Sequence, residues 1–287
     1  MITLSSAAAM RRWSERARVS GRVGLVPTMG CLHEGHLALV RAARRRCDRL
    51  VVSVFVNPLQ FGPAEDFHRY PRTPASDLRL LRGEGVDVVF APAVGEIYPE
   101  GHSTFVEVAG LADGLCGRHR PGHFRGVTTV VATLFNVVRP HLAVFGQKDA
   151  QQAAIIRRMA RDLGFGVRIL VVPTVRERDG LAMSSRNRYL TPAERRAAPA
   201  LFAALELCRQ EVAAGERSVV RLRRRMLAAL SRECRVRVQY LEFVDPERLA
   251  PVRRVEGRVL VALAAFLGKT RLIDNALISG DNAVVGT

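Results

Sequence analysis

From residue 22 to residue 172, short valine-rich apolar runs alternate with stretches of helical periodicity, and few architectures accept that alternation. Residues 22–27, 50–56, 86–90, 142–145 and 167–172 read as strands. The second is apolar throughout apart from Ser53, the pattern of a strand covered on both faces. Helical spacing of apolar residues marks the segments near 36–46, 75–83 and 126–138, and another ending near Leu163. Strand and helix in regular turn predict α/β architecture with a parallel, doubly wound sheet. After Pro173 the pattern changes. A polar loop at 176–187 leads to two long helices, near 192–214 and 218–233, and then to strand-like runs at 236–244, 258–266 and 270–278. Those elements predict a smaller C-terminal α+β domain, with a boundary near residue 175.

The first strand ends in Pro27-Thr28-Met29-Gly30-Cys31-Leu32-His33-Glu34-Gly35-His36, a tight turn into a helix. In an open α/β sheet, ligands bind outside the carboxyl ends of the strands, and unpaired N–H groups at a helix start favour an anion. Gly30 and Gly35 let the main chain bend and approach a ligand closely. His33 and His36, three residues apart, share a helix face and can both point at one phosphate chain. An arbitrary H-x-x-H is usually a pair of surface histidines; the glycines and the position favour a nucleotide-phosphate site.

Two other strand ends carry polar groups. Asn57-Pro58-Leu59-Gln60 follows the second strand, and Gly146-Gln147-Lys148-Asp149 follows the fourth. Of 44 basic residues only Lys148 and Lys269 are lysines, so a retained lysine hints at a place that needs a compact ammonium. Lys148 suits transferring phosphoryl oxygens, while Asp149 either holds a ribose hydroxyl or caps the next helix. Gln151 and Gln152 read as a solvated helix face unless the second turns into the cleft. Met183-Ser184-Ser185-Arg186 places two hydroxyls and a guanidinium on a flexible loop that can close over a triphosphate. Residues 114–126, glycine-rich and basic without period, read as a mobile loop. Gly268-Lys269-Thr270 is not a phosphate-binding P-loop, because position 263 is leucine where that motif needs glycine.

Composition excludes several other classes. The formal charge of +17 invites a polyanion, but the arginines are dispersed and no zinc-finger spacing or basic tail accompanies them, so no nucleic-acid partner is expected. The longest apolar run, Val259 to Leu267, is too short to span a bilayer, and no secretory pattern opens the chain, so no membrane partner and a cytoplasmic address are expected. Five scattered cysteines without metal-ligand spacing read as reduced thiols.

Five ordered motifs then carry a resemblance over nearly the whole chain: P-T-M-G-x-L-H-x-G-H at 27–36, F-V-N-P-x-Q-F at 55–61, E-D-F-x-R-Y-P-R at 65–72, G-x-K-D-x-Q-Q at 146–152 and D-G-L-A-M-S-S-R-N at 179–187. The sequence resembles the pantothenate synthetase (pantoate–β-alanine ligase) family. That family belongs to the superfamily of class I aminoacyl-tRNA synthetases and nucleotidylyltransferases, whose H-x-G-H and K-M-S-K-S signatures look like 33–36 and 182–186 here. Ala182 stands in place of the leading lysine, as is normal for the family.

The resemblance implies a Rossmann-like ATP- and pantoate-binding domain over 1–175. A smaller domain over 176–287 would carry the Met183–Arg186 loop and act as a lid. It implies an ATP-dependent ligation of pantoate and β-alanine through pantoyl adenylate, with Mg²⁺, in a homodimer. Carried over residue by residue, Met29, Gly30, Cys31, Leu32, His33, Glu34, Gly35, His36, Gly146, Gln147, Lys148, Asp149, Val175, Met183, Ser184, Ser185 and Arg186 form the ATP site. His36, His33 and Lys148 are the catalytic set, with His36 the family's assigned proton donor. Gln60, Gln152 and Asn57 serve pantoate, and Gln60 later β-alanine. Neither chemical step demands a strict general acid, so stabilising phosphoryl charge is the more economical role for His36. The metal ligands are left unassigned.

Overall fold

A computed structural model describes residues 1–63 and 65–280. They form two compact units, one of residues 1–113 and 117–173, the other of 114–116 with the chain from 174 onward.

In the first unit the elements are β1 (Ile2–Leu4), α1 (Ala7–Val19), β2 (Val23–Thr28), α2 (Glu34–Arg44), β3 (Arg49–Val54), α3 (Pro74–Gly83), β4 (Val88–Phe90) and α4 (Val94–Ile97). After α5 (Leu115–His119), which bridges the two units in sequence, come α6 (His123–Val138), β5 (Leu142–Gly146), α7 (Ala150–Asp162) and β6 (Arg168–Val172). The six strands are parallel in the order β1-β4-β3-β2-β5-β6. This is the expected Rossmann-like doubly wound sheet. Its inner strands β4, β3, β2 and β5 are apolar on both faces because both are covered. Val23, Leu25, Phe90, Ala143 and Phe145 join α1 and α6 in one core, while Val26, Leu50, Val52 and Val144 join α2 and α3 in another. The chain leaves β2 in one direction and reaches β5 on its other side, so the topological switch point lies between these two strands.

Several elements depart from the sequence reading. Residues 2–19 hold a strand and a helix where none was assigned. The buried stripe of α1 is only Met10, Ser14 and Ala17, and the serine hides the period; its hydroxyl is satisfied by the Val138 carbonyl. The expected loop at 114–126 contains α5 and the first turn of α6. The long helix expected at 192–214 is two helices, α8 (Pro192–Ala197) and α9 (Ala200–Ala213). Pro199, which lacks an N–H, stands at the break.

The second unit packs α8, α9 and α10 (Val219–Leu230) with an antiparallel sheet, β7 (Val236–Val244), β8 (Arg258–Leu267) and β9 (Thr270–Ser279), in the order β7-β8-β9. Gly268 and Lys269 form the two-residue turn between Leu267 and Thr270, with Gly268 at φ 56°. Such a turn demands positive φ, which accounts for the glycine. Lys269 is exposed at the tip and needs no special ammonium site.

Candidate active site

The β2–α2 turn is built from inside. Thr28, buried at the strand end, donates its hydroxyl to the Ser53 carbonyl at 2.8 Å and accepts the Gly30 N–H at 3.2 Å. The chain then turns through positive φ at Gly30 (78°) and Cys31 (50°). This aims two successive N–H groups at one carboxylate: Cys31 N donates to Asp77 Oδ2 and Leu32 N to Asp77 Oδ1, each at 2.9 Å. Thr73 Oγ1 adds a third donor at 3.0 Å, and Asp77 is only 3% exposed. A Cβ on Gly30 would lie 3.0 Å from Asp77 Oδ2. The turn therefore already holds an internal anion, and the N–H groups of residues 30–32 are spent on the protein. The donors expected to face an anion, the N–H groups at the start of α2, begin beyond this clamp at Glu34. The side chains of Cys31 and Leu32 are buried, and Glu34 pairs with Arg41.

Asp77 was missed because an aspartate in the first turn of a helix reads as a dipole partner. Asp77→Asn replaces one acceptor oxygen with a donor that opposes an N–H. We expect it to destabilise the fold by roughly 1–3 kcal/mol in urea unfolding. An unchanged midpoint would show that the clamp carries no stability.

His33 and His36 lie side by side at the start of α2, as their spacing implies, although His33 stands just outside the helix. His33 is the N-cap residue of α2, and the two rings lie against each other with centroids 4.1 Å apart. The His33 N–H reaches His36 Nδ1 at 3.3 Å. Nδ1 thus accepts, and the proton of a neutral His36 belongs on Nε2. Burial, then His33, then the charge of Lys148 push the His36 pKa down to about 3. The imidazole is neutral at physiological pH and offers an N–H donor, while Lys148 supplies the charge beside it.

Lys148 comes from the other side of the switch point. β5 ends at Gly146, and a 3₁₀ turn, Gln147–Asp149, leads into α7 with Lys148 half-buried. Asp149 occupies the N-cap position of α7, yet its side chain makes no capping hydrogen bond, so the capping alternative is not what it does. Gln151 corrects the solvated-face reading: it is buried, and its amide donates to the Leu111 carbonyl at 2.9 Å. Gln152 is half-buried.

After β3, Asn57 caps the 3₁₀ turn Pro58–Gln60. Its amide donates to Gln60 Oε1 at 3.1 Å and to the Gly126 carbonyl at 3.0 Å, while its oxygen accepts Tyr98 OH at 2.8 Å. Gln60 Nε2 lies 3.0 Å from Met29 Sδ, so the Gln60 amide sits beside the β2–α2 turn. Asn57, 1% exposed, orients Gln60 from within the protein. Tyr98, Arg120 and His123 also belong to this neighbourhood and were not singled out, since nothing local in sequence ties them to residue 60.

The Met183–Arg186 loop belongs to the second unit and is anchored at its base. Arg176 bridges Ala182, Met183 N donates to Val175 O at 3.0 Å, and Glu177 N donates to Leu181 O at 2.8 Å. Arg176 forks onto the buried Asp274 at 2.7 and 3.0 Å, and its guanidinium lies over the Phe202 ring at 4.2 Å. Ser184 accepts the Arg186 N–H, and the 3₁₀ turn Ser185–Tyr189 follows.

A neutral imidazole donor, an ammonium and an oriented amide pair thus gather at the carboxyl ends of β2, β3 and β5. The family model described as pantoate-beta-alanine ligase matches residues 2–277. The pantothenate synthetase of Moorella thermoacetica is 54% identical over 279 residues, covering 97% of this chain and 99% of the relative. That of Thermotoga neapolitana is 55% identical over 270 residues, covering 94% and 96%. The crystal structure of pantothenate synthetase from Thermus thermophilus superimposes with a TM-score of 0.92 at 50% identity, covering 96% of this chain and 99% of that one. The Francisella tularensis pantoate-beta-alanine ligase, solved with beta-gamma ATP and beta-alanine, gives 0.80 at 32%, covering 96% and 97%. Five motifs, a doubly wound sheet and these full-length matches agree, and the chain belongs to the pantoate–β-alanine ligase family.

Proposed function

We propose that this protein condenses pantoate with β-alanine at the expense of ATP, forming pantothenate through a pantoyl-adenylate intermediate. The observation that carries the reading is the full-length match to the pantoate–β-alanine ligase family, with His36 and Lys148 placed on the turns after β2 and β5 that flank the switch point. In the first step a pantoate carboxylate oxygen bonds to the α-phosphorus and pyrophosphate leaves. In the second the β-alanine amine attacks the acyl carbon, its proton is lost, and AMP departs. The residues' task is positioning and charge stabilisation. Lys148 answers the charge that grows on the phosphoryl oxygens, and His36 donates Nε2–H to the same region with His33 beside it. Met29 to His36 and Gly146 to Asp149 flank the nucleotide. Val175 and Met183 to Arg186 complete the nucleotide site, and residues 176–287 act as a lid.

Among the described residues no three His, Cys, Asp or Glu side chains gather as a metal cage. A Mg²⁺ would be carried mainly by the nucleotide's phosphates, and Asp149, whose carboxylate makes no capping bond at the β5–α7 turn, is the residue that would hold it. When bound, the ion screens phosphate charge. A homodimer in the cytoplasm completes the reading; among the described residues no helix is long and apolar enough to cross a membrane.

The test is incubation with ATP, Mg²⁺, pantoate and β-alanine, omitting each in turn. Pantothenate and stoichiometric AMP should require all of them, and AMP release independent of β-alanine would overturn the reading. Gln60→Ala should raise the KM for pantoate by roughly tenfold or more while the KM for ATP holds, because a lost polar contact costs more than about 1 kcal/mol when its partner is desolvated. Unchanged pantoate kinetics would remove Gln60 from the substrate site.

A further inference from the structure

Around Gln60 the first unit carries charged and titratable side chains that the two chemical steps do not use. Arg120 pairs with Glu65, Nε to Oε1 at 2.6 Å and Nη2 to Oε2 at 2.5 Å. The same guanidinium donates Nη2 to the Gln60 main-chain carbonyl at 3.2 Å and Nη1 to His123 Nε2 at 2.9 Å. Arginine has only donors, so His123 Nε2 accepts and the imidazole proton resides on Nδ1. Nδ1 lies 2.8 Å from that same Gln60 carbonyl and donates to it. Burial and Arg120 push the His123 pKa down to about 4, which keeps the ring in this neutral tautomer.

A stabilising ion pair would end at Glu65 and Arg120. Here the further contacts lead to one carbonyl oxygen, Arg120 Nη2 directly and Nη1 by way of His123, and the arginine side chain is only 14% exposed. The turn it holds has weak bonds of its own: Gln60 N to Asn57 O is 3.4 Å and Phe61 N to Pro58 O is 3.3 Å. From the other side the turn abuts the helix backbone, where a Cβ on Gly126 would lie 2.3 Å from the Leu59 carbonyl. Gln60 is thus held by its main chain through Arg120 and His123, and by its side chain through Asn57.

We propose that Glu65, Arg120 and His123 form a positioning relay that fixes the Gln60 amide and so sets how tightly the hydroxy-acid substrate is captured. The relay rests on the reading that Gln60 binds pantoate. It gives Glu65, His123 and the basic segment before α6 a function at a distance from the reacting atoms.

The test uses the full-length protein and compares pantoate and ATP kinetics, with melting temperature, for Gln60→Ala, His123→Gln, His123→Asn and Arg120→Lys. An asparagine amide nitrogen falls where imidazole Nδ1 lay, whereas a glutamine nitrogen falls at Nε2. His123→Gln and Arg120→Lys should therefore raise the pantoate KM roughly tenfold with the ATP KM within about twofold of wild type, as a displaced positioning contact does. His123→Asn should recover most of the loss seen in His123→Gln, a difference that a packing role would not produce. Should His123→Gln not fold, Arg120→Lys carries the comparison. The proposal is overturned if either variant folds with a wild-type pantoate KM while Gln60→Ala raises it, or if asparagine is as impaired as glutamine. If Gln60→Ala itself leaves the pantoate KM unchanged, the assignment of Gln60 falls and the relay with it.

Discussion

Lys148→Ala is expected to slow pantoyl-adenylate formation by roughly 10³-fold, the usual loss when a preorganised charge is removed from a transition state. Lys148 sits on a short 3₁₀ turn between β5 and α7, half-buried, and contributes no side chain to the cores that hold the sheet. The variant should therefore melt like the parent. Single-turnover pyrophosphate release, with pantoate and ATP but no β-alanine, isolates the step. Lys148→Arg should rescue little, because a planar guanidinium needs more room than an ammonium and distributes its charge differently. Release at the wild-type rate in either variant would remove Lys148 from the phosphoryl site.

His36→Ala is expected to lower the same step by roughly 10²-fold, consistent with losing one preorganised donor. Its pH behaviour separates two roles. A general acid near neutrality would lose activity as pH rises through its pKa. His36, held neutral with a pKa of about 3, should give a free-enzyme profile without such a limb between about pH 6 and 8. His36→Gln, which keeps an N–H near the Nε2 position, should retain more activity than His36→Ala. A descending limb near neutral pH that vanishes in His36→Gln would restore the proton-donor assignment.

The same groups set acid stability. His36 and His123 titrate at about 3 and about 4 when folded, against about 6.5 when exposed. Between those values the unfolded chain binds more protons, so their contribution is intact above about pH 6.5 and is lost progressively on acidification towards 4 and 3. The melting temperature should fall over that window, and less steeply in His123→Asn.

Much of the site was readable where function depends on neighbours in sequence. Glycines in a turn after a strand, and a lysine retained in an arginine-rich chain, located the residues at both sides of the switch point. The roles assigned to them shifted because hydrogen bonding is decided by what lies across the fold. Nothing near residue 30 says that its N–H groups meet Asp77, 46 positions away from Cys31. Nor does the run Gly117-Arg118-His119-Arg120-Pro121-Gly122-His123 reveal that two of its side chains end on the carbonyl of residue 60. Without local period it read as a loop, and its order comes from those distant partners.

By itself the sequence determined the alternation of elements, the parallel sheet and the β-rich tail, because hydrophobic period is a local property that burial then enforces. It also determined which strand ends carry polar chemistry. Only the tertiary structure decided which donors remain for a ligand, which histidine tautomers are present and what fixes Gln60. Those depend on desolvation and on single partners brought together from far apart in the chain, and a carboxylate 46 residues away or a guanidinium 60 residues away leaves no mark on the segment it orders.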